Sequence, residues 1–326
     1  LIFLPYTVFH EAISWMIQGV LWISRQSYGM LTIGHVPFLW VLLFYFMTGL
    51  CIWKKNGQNR HIRISLAYVI MIILIWIPMA RRKSLAFLDV GQGDCFVADT
   101  KSGAIIFDGG SSSEDQVGRY RILPYMKYLG YQKIQIAVIS HMDIDHYSGI
   151  KELLEMGKIK YLGLPEIPKD ETMKKIIGIA KKRGTTIFYL SRGRQITTKD
   201  GSLKVLHPQK NSQMEKNAAS LVMQGKILGY RVLLTGDVEK EGEEELLSEE
   251  LERADILKAA HHGSKNSTSN EFLQKVQPKQ TVISCGKQNR YGHPHLETIH
   301  RLQTYHTKIY RTDRSGAIIF FKRRDG

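Results

Sequence analysis

The run Ser140-His141-Met142-Asp143-Ile144-Asp145-His146 directly follows an apolar β-type stretch, residues 134–139. A strand that ends in such a loop can point two imidazoles and two carboxylates into one small volume. Carboxylates packed between histidines repel one another unless a cation joins them. Imidazole nitrogen with carboxylate oxygen suits zinc or manganese, and two such ions can share one site. The fold must therefore carry an apolar strand with a metal-binding loop at its end.

The 326 residues divide into two parts of different character. Residues 38–53 and 64–80 are two runs without a charge. Both approach the length that crosses a hydrocarbon core of about 30 Å, and Trp40, Tyr45, Trp53, Tyr68 and Trp76 accompany them. Two transmembrane helices are expected there. The basic loop between them, residues 54–63, belongs in the cytoplasm by the positive-inside rule, which places the following domain outside the cytoplasm. Residues 1–24 are apolar but hold Pro5, His10, Glu11 and Gln18, so they read as a third span or an interfacial amphipathic helix. The chain opens on Leu1, and a piece of a longer protein is expected. The expected division is a membrane region over 1–83 and a hydrolase domain over 84–326.

From Leu85 onward, short β-type runs alternate with helical stretches, the pattern of an α/β domain with sheets covered by helices. Several strand ends carry polar groups. Gly91-Gln92-Gly93-Asp94 is a tight glycine turn, and Asp108 ends the run 104–107. Asp94 and Asp108 can orient metal-bound histidines from behind. Val232 to Asp237 delivers one carboxylate past Gly236, a geometry suited to bridging two cations. The stretch 255–264 delivers the adjacent pair His261 and His262, of which one is expected to bind metal and the other to contact substrate or a ligand.

Taken in order, Gly-Gln-Gly-Asp, His-x-Asp-x-Asp-His, Thr-Gly-Asp and His-His-Gly-Ser resemble the metallo-β-lactamase superfamily. Within it, the pattern is similar to the nuclease-like domain of ComEC-type DNA-uptake (competence) channels. Asp143 stands where the superfamily usually has a second histidine, and Asn289-Arg290-Tyr291-Gly292-His293-Pro294 also resembles that branch. The resemblance covers residues 84–326 well and the membrane part loosely. It implies an αββα sandwich, preceded by transmembrane helices, with a site for two divalent metal ions, manganese or zinc, at one edge. His141 and Asp143 would hold one ion. Asp145 and one of His261 or His262 would hold the other, with His146 beside them and Asp237 bridging. The superfamily has a further histidine before its Thr-Gly-Asp strand; here the matching stretch is Asn217-Ala218-Ala219-Ser220, which leaves one shell incomplete.

The expected activity is metal-assisted hydrolysis of phosphodiester bonds in one strand of incoming DNA. Asp145 would orient the nucleophile, and His293 would donate to the leaving oxygen or bind the phosphate. Lys258, Lys265, Lys287 and Arg290 could pair with a DNA backbone, and Tyr291 could stack a base. Asn217, Ser220 and Ser264 complete the surroundings of the site. Net charge is +15; residues 1–83 hold eight Lys/Arg against one Asp/Glu, or +7, which leaves +8 on the rest. That excess fits a polyanionic partner. The expected partners are DNA, membrane lipid and other subunits of an uptake apparatus, with no small organic cofactor and a multi-pass place in the cell membrane. Cys51, Cys95 and Cys285 lack zinc-knuckle or redox spacing and read as small core residues. Two other functions fit the same residues: a membrane-tethered hydrolase of small phosphoesters, and a catalytically silent DNA-guiding domain.

Overall fold

The computed structural model describes residues 6–25, 32, 34–53, 62, 64–66, 68–69, 82–249 and 251–323. The chain forms two compact units, residues 1–77 and 78–326. In the first, helices span Tyr6–Arg25 and Phe38–Trp53. The second of these is uncharged over all 16 residues, and at 1.5 Å per residue it reaches about 24 Å. Among the described residues no helix is both long and apolar enough to cross a membrane. The transmembrane helix expected at 38–53 therefore forms as a helix but falls short of a span. The one expected at 64–80 lies mostly outside the described residues.

The second unit is built on two seven-stranded sheets. One contains β1 (Ser84–Phe87), β2 (Phe96–Thr100), β3 (Gly103–Phe107), β4 (Ile134–Val138), β5 (Ile159–Pro165) and β6 (Thr186–Leu190). The other contains β7 (Gln195–Thr198), β8 (Gly201–His207), β9 (Val222–Ile227), β10 (Tyr230–Leu234), β11 (Ile256–Lys258), β12 (Gln280–Ile283) and β13 (Lys308–Arg311). The last strand, β14 (Ile318–Phe321), returns to the first sheet and pairs with β1. The strand orders are β14-β1-β2-β3-β4-β5-β6 and β13-β12-β11-β10-β9-β8-β7. In each sheet one half is antiparallel, and β3 to β6 or β10 to β13 run parallel.

Period-2 alternation sorts side chains between layers. Leu85 and Phe87 enter the core between the sheets with Val232, Leu234 and Ile256, whereas Ala86 and Leu88 face an outer helical layer. That outer layer draws Ile150, Leu153 and Leu154 from the helix Ile144–Glu155, and Met173 and Ile176 from Glu171–Lys182. On the far side Leu246, Phe272, Leu273 and Leu302 cover the second sheet. Helix, sheet, sheet, helix is the expected αββα order.

The parallel halves matter most for the site. Loops leaving the carboxyl ends of β3, β4, β10, β11 and β12 gather at one edge, carrying Asp108, His141 to His146, Asp237, His261 with His262, and His293. The turn 89–94 is wedged against them. A Cβ at Gly93 or Gly110 would collide with the backbone of Gly110 or Asp145, so only glycine allows this approach. The Gly91 amide donates to the Asp89 carboxylate at 3.2 Å.

Candidate metal centre

Three histidines share one arrangement. His146 Nδ1 lies 3.0 Å from Asp108 Oδ2, His262 Nδ1 lies 2.9 Å from the Ser284 carbonyl, and His141 Nδ1 lies 3.0 Å from the Ser140 hydroxyl. With an acceptor at its Nδ1, His146 or His262 is oriented with Nε2 toward the cleft, the usual posture of a metal-ligating imidazole. All three Nε2 atoms are buried and make no hydrogen bond within the protein. Asp108 is fixed in turn by the Ser140 amide at 2.7 Å and the Ser140 hydroxyl at 2.8 Å.

The carboxylates face those free nitrogens. Asp237 Oδ2 lies 3.2 Å from His146 Nε2 and 3.4 Å from His262 Nε2, and Asp145 Oδ2 lies 3.3 Å from His262 Nε2. Asp94, His146, Asp237 and His262 offer donor atoms within 4.8 Å of one another, and all four are buried. Ligands about 2.1 Å from a tetrahedral ion stand roughly 3.4 Å apart, so the observed spacings fit a divalent cation. Orphaned buried nitrogens and oxygens in a set of this chemistry are what such an ion would satisfy.

A second pair sits nearer the surface. His141 Nε2 is 3.4 Å from Asp143 Oδ2, and the other Asp143 oxygen accepts from Lys216 Nζ at 2.5 Å. Asn217 and Ser220, the stretch without the further histidine, serve structural bonds: Asn217 Nδ2 donates to Glu239 at 3.4 Å, and the Ser220 hydroxyl accepts from the Asp237 amide at 3.3 Å.

The adjacent histidines both line the cleft but differ in burial. His262 is buried in the cluster. His261 is half-exposed, with Nδ1 at 2.9 Å from Glu239 and Nε2 at 3.9 Å from Asp237. Both adopt positive φ, 48° and 53°, a backbone cost accepted to turn two neighbouring rings toward one cleft.

Lys258 corrects the sequence reading. It is buried at the end of β11, out of reach of a DNA backbone. Its ammonium contacts Asp94, donates to the Gly236 carbonyl at 3.0 Å and lies 3.5 Å from Asp237 Oδ1. An apolar strand, Ile256-Leu257-Lys258, gave no sign that its one charged residue points inward. Lys265 is exposed, while Ser264 is buried with its hydroxyl accepting from the Asn266 amide.

Charge within the cluster is balanced internally. Burial pushes Asp237 upward, yet His146, His262 and Lys258 hold it well below the ordinary carboxylate range. Asp94, opposed by the same burial, is drawn down to about 2 by Lys258 and His262. Burial disfavours the charged form of His262, but Asp237 and Asp94 lift it to about 10, and Asp237 and Asp108 likewise raise His146. His293 goes the other way: burial and the imidazoles of His262 and His261 push it down to about 4. It is neutral near pH 7 and can act as a hydrogen-bonding group.

The cluster opens into a cleft of about 260 Å³ lined by Asp143, Asp145, Asp237, His261, His262 and His293 on its polar side. Gln92, Ser112, Ile144 and Tyr291 complete the wall, and the first three were not singled out in the sequence. Ile144 lay hidden between two carboxylates, and nothing in its spacing marks it.

Residues 88–287 match the family model described as the metallo-beta-lactamase superfamily. The chain is 32% identical to the ComE operon protein 3 of Bacillus subtilis (strain 168), over 98% of this chain and 44% of that one. It is 30% identical to the competence protein ComA of Neisseria gonorrhoeae, over 73% of this chain and 32% of that one. The chain thus spans less than half the length of these curated relatives. Among solved structures, the metallo-beta-lactamase fold protein YhfI from Bacillus subtilis superposes with a TM-score of 0.50 at 13% identity, covering 72% of this chain and 99% of that one, a likeness of fold alone. A four-layer sandwich with its polar cluster at the carboxyl ends of the parallel strands, matched by this family model over most of the second unit, places the chain in the metallo-beta-lactamase superfamily.

Proposed function

We propose that this chain is the metal-dependent nuclease part of a DNA-uptake channel, hydrolysing phosphodiester bonds in one strand of incoming DNA during natural transformation. The observation that carries the reading is the convergence of the buried, unbonded His146 and His262 Nε2 atoms with Asp94 and Asp237, beside a cleft that Asp145, Asp237 and His262 line. One curated relative is named a competence protein, which supports DNA as the substrate. In this reading His146, His262, Asp145 and Asp237 hold one divalent ion, with Asp94 behind them, and His141 with Asp143 is the place for a second. Bound manganese or zinc would supply Lewis acidity toward the phosphoryl oxygens and an activated water at neutral pH.

The chain's own residues do the rest. A bound ion would displace one proton from each of His146 and His262, and Asp108 and the Ser284 carbonyl hold the remaining one on Nδ1, so that Nε2 faces the cleft. Asp145, at the first turn of its helix, can also orient the attacking water. Neutral His293 offers a hydrogen bond to the phosphate or the leaving oxygen. The short uncharged helix Phe38–Trp53 supports a membrane tether, and the basic loop after it supports an extracytoplasmic hydrolase.

The test is cleavage of end-labelled single- and double-stranded DNA by metal-stripped protein given manganese or zinc, beside Asp237→Ala. Metal-dependent cutting lost in the variant is expected. No cutting with metal bound and the fold intact would move the reading to small phosphoesters. No metal binding would favour the silent DNA guide, which the Asn217–Ser220 stretch supports.

A further inference from the structure

The cleft has one surface that ion binding does not use. Tyr291 is 43% exposed, and its ring lies nearly parallel to His293, with centroids 5.6 Å apart and an interplanar angle of 21°. His293 is in turn 6.2 Å from the His262 ring. Tyr291, His293 and His262 therefore form a row of rings leading from solvent to the metal cluster. Asn289 fixes this row: its amide donates to the Gly286 and His293 carbonyls at 2.9 and 2.6 Å, and its Oδ1 accepts from the His293 amide at 2.9 Å.

Arg290 covers the tyrosine from another side, with its guanidinium 4.8 Å from the ring centroid and a bond to the phenol oxygen at 2.6 Å. Both groups are exposed, and this contact is between chain neighbours, so a flat aromatic ligand can displace the guanidinium at little cost. Across the same cleft Ile144 is 54% exposed although it lies between two carboxylates. Apolar side chains left open beside a charged cluster suit a ligand with an uncharged plane next to its phosphate. A bare phosphoester has none; a nucleotide strand has one per unit.

We propose that Tyr291 is a stacking platform for the nucleobase adjoining the scissile phosphodiester, with Arg290 released to the neighbouring backbone phosphate, so that the cleft selects strands that carry bases. The proposal rests on the nuclease reading of this cleft. Base–aromatic stacking tolerates any sequence, and its loss on substitution by alanine is large enough to measure.

The experiment compares an oligothymidylate with an abasic strand of equal length, using the full chain, Tyr291→Ala and Tyr291→Phe. Binding is read by fluorescence anisotropy and cutting by product formation in manganese or zinc. Wild type should prefer the base-bearing strand; Tyr291→Ala should weaken that binding roughly tenfold and erase the preference, and Tyr291→Phe should keep it. A preference that survives Tyr291→Ala, or one that is absent in wild type, would overturn the proposal. A Tyr291-dependent preference without cutting would uphold the platform and count against the nuclease. Cutting without any preference would do the reverse.

Discussion

Replacing Lys258 by methionine removes a buried cation and leaves its volume largely filled. Its side chain is 5% exposed, as is that of Asp237, and Asp94 is 6% exposed. At the 3.5 Å separation from Asp237, an effective dielectric of about 20 gives a gross attraction of about 5 kcal/mol. Breaking such a pair from one side typically costs about 3–5 kcal/mol, because the carboxylates stay buried without their partner. For a unit of this size that corresponds to roughly 6–20 °C in Tm. The loss should be largest in metal-free protein. A divalent ion held by Asp237, as proposed, would supply the missing charge, so the metal-loaded variant should lose less. By linkage, every 1.4 kcal/mol of difference between the two forms appears as about tenfold tighter metal binding. Urea and thermal denaturation by far-UV circular dichroism, with and without manganese, measure the first quantity; calorimetric titration of the metal measures the second. An equal loss in both forms, or a more stable variant, would refute the reasoning.

Two further outcomes follow from the same cluster and its surroundings. Asp108→Ala strips the acceptor from His146 Nδ1 and from the Ser140 amide and hydroxyl, and metal affinity should fall roughly 10- to 100-fold in a manganese titration. Asp200 accepts from the Lys101 amide at 2.6 Å and pairs with Lys322 at 3.2 Å, tying the hairpin of β7 and β8 to the turn between β2 and β3. Burial raises its carboxyl, but these partners hold it below its ordinary value of 3.8. Its stabilising contribution is therefore complete above that value and fades as pH falls through the lower folded one. Acid titration should destabilise Asp200→Asn less than wild type; parallel acid curves would count against the assignment.

The sequence displayed the loop 140–146 because its chemistry is local: four ligand-type side chains in six positions, placed by one apolar strand. The sandwich was legible for a similar reason, since short apolar runs such as 104–107 and 232–234 mark strands buried on both faces. Where local pattern was weak, elements escaped notice. The strand Ile159–Pro165 contains Lys160, Gly163 and Pro165, which break a β-type run, and tertiary pairing with β4 and β6 decides it. The helix Asn270–Val276 is only seven residues long, too short for its period to show. Within the site, Lys258 and Lys216 looked alike as basic residues. Only the three-dimensional arrangement places one against two buried aspartates and the other on Asp143 at the surface. The choice of His262 over His261 as the inward ring also depends on backbone angles that no spacing rule predicts.

The two sheets carry their parallel strands to a common edge, and the candidate ligands are split between them. His141, Asp145 and His146 come from the first sheet; Asp237 and His262 come from the second. Neither half alone assembles more than a few weak donors, so the full set exists only once both layers have docked in register. A cation bound there would act as a clasp across the seam and as a check on assembly, because a chain with one half misfolded would lack part of the donor set.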